Sequence, residues 1–250
     1  MNDMNNLVIT NMPELSFDVQ EAVNQLRVNL GFTGETIKVI MITSSLPNEG
    51  KSFVAMNLWK NIASVGSRVV MIDADIRNSE IRDRYGFQSE EGLVGIEHYL
   101  SGKIEANDVL YGTNIKNGYI IPVSTNVIDP TTLLESSRFE KLIETSKETF
   151  DYVIIDTPPL GSVADALNIA RYCDGSVLVV ASNNTPRKLA SDVITSLRRT
   201  EKPLLGVVLN RVDTSGRSSN YGYYYRYGGY GHYGYGRYGY GQYGKNDKNK

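Results

Sequence analysis

Cysteine and long apolar runs are both scarce in this sequence. Cys173 is the only cysteine of the 250 residues, so no internal disulfide can form, which favours a reducing compartment. No apolar run approaches the roughly 18 residues that a membrane-spanning helix needs, and the polar opening MNDMNN does not resemble a signal peptide. We therefore predict a cytoplasmic protein.

Positive charge is also scarce over most of the chain. The formal net charge is −2, but residues 217–250 hold six Lys/Arg and one Asp. That segment therefore carries +5, which leaves −7 on the first 216 residues. Nonspecific binding to nucleic acid depends on many cationic contacts with phosphates. The acidic body argues against a nucleic-acid partner.

Leucine, isoleucine and valine are absent beyond Asp213, where tyrosine and glycine dominate instead. Such a segment buries too little aliphatic surface to offset the entropy lost on ordering. We predict a folded domain over residues 1–213 and a flexible tail over residues 214–250. The tail holds eleven of the 17 tyrosines, namely Tyr221, Tyr223, Tyr224, Tyr225, Tyr227, Tyr230, Tyr233, Tyr235, Tyr238, Tyr240 and Tyr243.

The rest of the chain alternates short apolar runs with segments of helical periodicity. Strands that are apolar throughout, with helices between them, are typical of a mostly parallel sheet covered on both faces. We therefore predict one α/β domain. The predicted strands are 37–43, 68–73, 119–123, 152–156, 176–181 and 204–210, and the predicted helices are 16–30, one from near Gly50, 131–148, 163–172 and 186–199.

The segment TSSLPNEGKS, residues 43–52, is similar to the phosphate-loop pattern GxxxxGK[ST] but has Ser45 at the first glycine position. It follows a predicted strand and opens a predicted helix, so its backbone N–H groups converge on one point. In such a loop Gly50 allows close approach of a phosphate, Lys51 reaches the terminal phosphates and Ser52 offers its hydroxyl to Mg²⁺. A chance GKS at a helix start is the alternative. The predicted ATP-binding residues here are Pro47, Asn48, Glu49, Gly50, Lys51, Ser52 and Phe53.

Three carboxylates follow predicted strands. Asp73 and Asp75 emerge from the carboxyl end of the strand in VVMIDADIR, and Asp156 ends the strand in DYVIIDTPP. Ligands of open α/β sheets bind at the carboxyl ends of strands. A solvated acidic turn or a polar strand end would explain each alone. Beside a phosphate loop, the three carboxylates predict a Mg-nucleotide site.

These motifs, followed by LGVVLNRVD and the tyrosine-rich tail, resemble the bacterial tyrosine kinases of capsular and exopolysaccharide synthesis over about residues 14–250. The resemblance implies a phosphate-loop NTPase-like fold that uses ATP and Mg²⁺ to phosphorylate its own tail tyrosines. It places Asn210 at the adenine side, where a polar strand cap is the other interpretation. The residues that it implies as catalytic are Lys51, Asp73, Asp75 and Asp156, and as metal-binding Ser52, Asp75 and Asp156.

The resemblance also implies partners. One is a membrane-embedded activator or polysaccharide co-polymerase, whose cytosolic segment docks near the nucleotide and recruits the kinase to the inner face of the membrane. A cognate tyrosine phosphatase and a ring of identical subunits are the others. The helix EAVNQLR resembles the ring-forming motif at Glu21 and Arg27, but Asn24 replaces its first arginine. Glu21 and Arg27 also fit a solvated helix face.

Phosphoryl transfer depends mainly on alignment and charge neutralisation. We favour Asp73 as the base that accepts the phenol proton, with Asp75 and Asp156 orienting Mg²⁺, although the sequence does not separate Asp73 from Asp75. Arg77 fits either a phosphate contact or a surface salt bridge. The six tyrosines outside the tail fit packing roles better than acceptor roles: Tyr85, Tyr99, Tyr111, Tyr119, Tyr152 and Tyr172.

Two rival functions fit the same scaffold. A MinD-like positioning ATPase commonly has an extra lysine five residues before Lys51, where this sequence has Leu46. A nucleotide-binding scaffold whose tail is phosphorylated by another kinase is the second rival. For the tail alone, self-association or RNA binding through its aromatic rings is the alternative.

Overall fold

A central sheet organises the domain. A computed structural model describes residues 5–213, and the predicted tail with its eleven tyrosines lies outside the described residues. Within them the sheet has nine strands: β1 (Asn5–Ile9), β2 (Val39–Ser44), β3 (Val69–Asp73), β4 (Phe87–Gln88), β5 (Tyr111–Thr113), β6 (Gly118–Ile121), β7 (Tyr152–Asp156), β8 (Gly175–Ala181) and β9 (Leu204–Asn210).

The strand order is β4-β1-β5-β6-β3-β7-β2-β8-β9. The pairs β1–β4 and β5–β6 are antiparallel, whereas all the other neighbours are parallel. Parallel neighbours need crossover connections, and the helices supply them. The prediction of a mostly parallel α/β sheet is confirmed.

Helices cover both faces of the sheet. In β2, Val39 and Met41 point into one core and Ile40 and Ile42 into the other, and all four are buried. This alternation on a doubly buried strand explains the continuous apolar runs. The helices in the described part of the chain are α1 (Phe17–Gly31), α2 (Lys51–Ser64), α3 (Ile81–Tyr85), α4 (Ile96–Leu100), α5 (Ala106–Val109), α6 (Thr131–Leu134), α7 (Ser137–Thr149), α8 (Asp165–Ala170) and α9 (Arg187–Arg198).

The helix predicted over residues 131–148 is wrong as a single element. It is divided into α6 and α7 at Ser136, whose backbone is extended and whose hydroxyl accepts a hydrogen bond from the N–H of Phe139. This serine caps a new helix rather than continuing the old one. Six short elements were also missed, because two to five residues are too few to show a period: β1, β4, β5, α3, α4 and α5.

Within residues 5–213, no helix combines the length and the apolar character needed to cross a bilayer.

The start of β2 is held by the carboxylate of Asp174, which precedes β8. Its Oδ2 accepts hydrogen bonds from the N–H groups of Lys38 (3.0 Å) and Val39 (2.9 Å), and Lys147 pairs with its Oδ1. Burial alone would raise the pKa of Asp174, but the Lys147 ammonium and these N–H donors outweigh it and hold the pKa below its usual range. The carboxylate therefore stabilises the fold in its charged form.

Replacing Asp174 with alanine should lower the free energy of unfolding by about 2 kcal/mol at neutral pH, because two partly buried N–H donors lose a charged acceptor. A carboxyl whose folded-state pKa is depressed stabilises the fold above its unfolded pKa of about 3.9, and that stability is lost as the pH falls through the folded pKa. Denaturant titrations of both proteins should therefore converge below about pH 4. The exposed Glu144→Ala on α7 is the control, and a difference that stays constant down to pH 3 would contradict the argument.

Candidate functional site

Three neighbouring parallel strands end at the same edge of the sheet. The central one is β7, whose Asp156 is paired in register with Ile42 of β2 and with Asp73 of β3. The loop after β2 and the carboxylates that end β3 and β7 therefore lie side by side. The sequence pattern predicted this convergence, which follows from parallel pairing in register.

The loop between β2 and α2 has the form of an anion cradle. Gly50 takes the left-handed conformation (φ 92°), and a Cβ there would lie 2.1 Å from Nδ2 of Asn210, so only glycine fits. The next residues begin α2, whose first N–H groups have no intrahelical partner. Within residues 5–213, the N–H groups of residues 50–53 donate to no protein acceptor. Four consecutive donors at a positive helix end favour a bound anion such as a phosphate.

Lys51 bridges two of the three carboxylates. Its Nζ lies 2.8 Å from Oδ2 of Asp75 and 3.3 Å from Oδ2 of Asp156. Burial by itself would lower the pKa of Lys51, but the charges of Asp156, Asp75 and Asp73 outweigh it and raise that pKa above its usual range. Lys51 is therefore a permanent cation, which a phosphate must draw away from, or share with, the carboxylates.

Asp156 is buried, and only one of its two carboxylate oxygens has a hydrogen-bond partner among the described residues. Its Oδ2 accepts a 2.6 Å hydrogen bond from the Ser52 hydroxyl, whereas its Oδ1 has no partner within the described residues. Burial raises the pKa of Asp156, and Lys51 and Ser52 oppose that rise. Buried polar atoms in proteins rarely lack a partner, so the free oxygen indicates a ligand of the site.

Asp73 differs from its neighbours because it makes no direct ion pair with Lys51. Its Oδ2 accepts a short hydrogen bond from the Ser79 hydroxyl, and its Oδ1 accepts one from the N–H of Asp75 (3.2 Å). Burial, followed by the negative charge of Asp156, raises the pKa of Asp73 to about 7. A carboxylate in this setting has a much higher affinity for a proton than an exposed aspartate.

A cleft of about 200 Å³ lies over this cluster. Of the three predicted carboxylates, Asp75 lines the wall of this cleft, whereas Asp73 and Asp156 do not. No sequence motif pointed to Glu80, Arg84 or Ser162, which also line the cleft. The residues that line the cleft are Pro47, Asn48, Gly50, Lys51, Ser52, Asp75, Arg77, Asn78, Glu80, Arg84, Pro158, Pro159, Ser162 and Val163.

Three predicted nucleotide-binding residues lie outside the cleft wall. Phe53 is half-buried on the first turn of α2. Asn210 ends β9 and donates a 2.8 Å hydrogen bond to the carbonyl of Glu49. The Glu49 side chain is completely buried and turns back into the loop. Glu49 and Asn210 support the loop in the structure, and a direct nucleotide contact for any of the three residues stays a prediction.

The remaining predicted residues are engaged within the domain. Arg77, which lines the cleft, forms a salt bridge with the buried carboxylate of Asp165 (2.9 Å), and a phosphate contact for Arg77 stays a prediction. On α1, Glu21 accepts a hydrogen bond from Asn24, and Nε of Arg27 donates a 2.7 Å hydrogen bond to Asn61 of α2. Arg27 therefore links two helices of one subunit, and the role of Glu21 and Arg27 in a ring stays a prediction.

The sheet order, the loop and the carboxylate edge define a phosphate-loop NTPase-like protein. A family model described as an AAA domain matches residues 37–200. The tyrosine-protein kinase CpsD of Streptococcus pneumoniae is 38% identical over 212 residues, which cover 85% of this chain and 92% of that protein. The tyrosine-protein kinase Wzc of Salmonella typhimurium is 35% identical over 212 residues, which cover 82% of this chain and 28% of that protein.

Among solved structures, the kinase domain of the Escherichia coli tyrosine kinase ETK matches with a TM-score of 0.73 and 31% identity, covering 82% of this chain and 83% of that one. The chain belongs to the bacterial tyrosine-protein kinase family, built on the AAA-type ATPase domain. The family that the motifs resembled is confirmed.

Proposed function

We propose that this protein is an ATP-dependent protein-tyrosine kinase that phosphorylates the tyrosines of its own C-terminal tail and regulates capsular or exopolysaccharide synthesis and export. The observation that carries the proposal is the contact of Lys51 with Asp75 and Asp156, directly beside the free N–H groups of the loop. One compact site thus offers donors for a polyphosphate and carboxylates for a metal and a proton. The named relatives support tyrosine as the acceptor.

In the proposed reaction, the phenolic oxygen of a tail tyrosine attacks the γ-phosphorus of ATP. The bond from that phosphorus to the bridging oxygen breaks, ADP leaves with its electron pair, and the phenol proton passes to a carboxylate. We propose Asp73 for that carboxylate, because Lys51 does not neutralise it directly and its pKa is raised towards neutrality. Lys51 and the N–H groups of residues 50–53 hold the phosphates in line and neutralise charge.

The residues fit a magnesium ion. Within the described part of the chain, no three acidic, histidine or cysteine side chains are grouped so as to hold a metal alone. Mg²⁺ needs no such cage, because it keeps several waters and takes one or two carboxylates together with substrate phosphates. Ser52, Asp75 and the unpartnered Oδ1 of Asp156 supply suitable oxygens. When held by these residues, the ion would supply positive charge that neutralises the phosphates.

The tail is the proposed acceptor because the tyrosines of the domain are poorly placed. Tyr85, Tyr99 and Tyr111 are buried, and the other three described tyrosines are half-buried. Burial raises the pKa of Tyr85 to about 12, so this phenol is also a poorer nucleophile at neutral pH. A phenol must reach the cleft to react, and eleven candidates remain in residues 214–250.

Incubation of the purified chain with Mg-ATP tests the proposal. We expect phosphotyrosine that mass spectrometry places in residues 221–243, and loss of nearly all of it when the eleven tail tyrosines are changed to phenylalanine. A variant with phenylalanine at Tyr119, Tyr152 and Tyr172 is the matched control and should keep the signal. Phosphate release without phosphotyrosine would contradict the kinase and favour a positioning ATPase, and the absence of both signals would favour the scaffold.

The alternative of a MinD-like positioning ATPase rests on the fold alone. Leu46 occupies the place of the extra lysine, and its N–H donates to the Glu49 carboxylate rather than facing the cleft. No feature of a positioning ATPase calls for the tyrosine-rich tail. We therefore keep it only as an outcome of the assay.

For partners, we propose a homo-oligomer, a cognate phosphatase, and a membrane protein that recruits the kinase to the inner face of the membrane. The matched segment makes up only 28% of Wzc, so most of that relative lies outside the matched domain. Further protein sequence therefore accompanies this domain in a relative. Binding of the purified chain to protein-free liposomes as tightly as to native membranes would contradict recruitment by a protein.

A further inference from the structure

The phosphate loop of this protein contains a buried carboxylate that the chemistry of ATP binding does not require. Glu49 lies directly before Gly50, yet its side chain is fully buried and does not line the cleft. Its Oε2 accepts hydrogen bonds from the N–H groups of Ser45 (2.7 Å) and Leu46 (2.9 Å). Its Oε1 accepts a short hydrogen bond from the hydroxyl of Thr185, in the connection between β8 and α9.

An anion beside a site for a polyphosphate is unfavourable unless its charge is neutralised or directed away. No lysine, arginine or histidine of residues 5–213 forms a salt bridge with Glu49. Two backbone N–H groups and one hydroxyl solvate the carboxylate instead. Because the side chain closes a ring from Ser45 to Glu49, the charge points into the protein and the N–H groups of residues 50–53 remain available to a ligand.

The same residue ties the loop to two other strands. The carbonyl of Glu49 accepts the hydrogen bond from Asn210 at the end of β9. Thr185, which donates to the carboxylate, also accepts a 2.9 Å hydrogen bond from the N–H of Ala181 at the end of β8. Ser45 stands where the usual pattern has glycine, so the shape of this loop depends more on cross-links than on glycine conformations.

We propose that Glu49 is a positioning residue, which together with Thr185 holds the phosphate loop in its anion-binding conformation before nucleotide arrives. The proposal deepens the proposed function, because it rests on nucleotide binding at this loop. Without the cross-link, only a fraction of molecules has an ordered loop, and the apparent affinity for nucleotide equals the intrinsic affinity multiplied by that fraction. Neither residue contacts the phosphates in this scheme, so their effects depend on each other.

The test is the affinity of the full chain for a fluorescent ADP analogue with Mg²⁺. A hydrogen bond to a charged group corresponds to a factor of about ten or more, so Thr185→Val should weaken binding about tenfold and Glu49→Ala by about 10² or more. Thr185→Ser keeps the hydroxyl and should restore most of the affinity. In the Glu49→Ala background, Thr185→Val should cause no further loss.

The control is Thr195→Val, which removes an exposed hydroxyl on α9 that bonds only to its own helix. An unchanged affinity in Thr185→Val, a serine variant as weak as the valine variant, or losses that multiply in the double variant would each overturn the proposal. If Glu49→Ala does not fold, the affinities of Thr185→Val and Thr185→Ser still test the proposal. Failure of the unmodified chain to bind nucleotide would instead refute the proposed function.

Discussion

Replacement of Lys51 by methionine should lower tail phosphorylation by at least about 10²-fold, because the transferred phosphoryl group loses its pre-placed cation. The variant should also be less stable without nucleotide. Lys51 is the only cation in contact with Asp75 and Asp156 among the described residues, and both carboxylates are buried. Removing one partner of a buried ion pair costs about 3 kcal/mol, since the other charge is left uncompensated.

These two effects of Lys51 can be separated with a charge-balanced variant. In Lys51→Met combined with Asp75→Asn, one positive and one negative charge are removed together, so thermal stability should recover towards that of the unmodified protein. At saturating Mg-ATP, phosphotyrosine formation in this double variant should stay far below that of Asp75→Asn alone, because the cation is still missing. If the double variant were as active as Asp75→Asn alone, Lys51 would be a structural residue and not a phosphate ligand. Phosphotyrosine on the tail is quantified by mass spectrometry under the same Mg-ATP conditions for all variants.

The central strands and the identity of the site could be predicted from sequence for a physical reason. β2, β3 and β7 are buried on both faces, so they must be apolar throughout, and a charged residue that follows such a run stands out. Register then follows from parallel pairing, which puts Asp73 opposite Asp156. Local composition and general sheet geometry therefore suffice to assemble the loop and the carboxylates.

The hydrogen bonds that hold the phosphate loop in place could not be predicted in this way. The bond from Thr185 to Glu49 joins residues that are 136 positions apart, and the bond from Asn210 to Glu49 spans 161 positions. No local pattern encodes such pairs. The short elements β1 and β5 lie towards one edge of the sheet and pair through residues such as Asn5 and Gly112, which carry no apolar signal. These parts are determined by tertiary contacts.

The roles of Asp73 and Asp75, which the sequence left open, should separate in steady-state kinetics. Asp75 lines the cleft and pairs with Lys51, so Asp75→Asn should mainly raise the KM for Mg-ATP and the Mg²⁺ concentration required. Asp73 has no such ion pair and is proposed to accept the phenol proton. Asp73→Asn should therefore lower kcat by about 10²-fold or more with little change in KM, since general-base catalysis contributes factors of that size.

The comparison of Asp73→Asn with Asp75→Asn needs control variants that change a nearby side chain but keep both carboxylates. Asp83→Asn removes an exposed carboxylate on α3 and should leave both kinetic constants unchanged. Ser79→Ala removes the hydroxyl that binds Asp73 but keeps the carboxylate, so kcat should change far less than in Asp73→Asn. If Asp73→Asn instead raised KM like Asp75→Asn while kcat stayed high, Asp73 would act on the metal-nucleotide complex. The proton would then have to pass to Asp75, the carboxylate on the wall of the cleft.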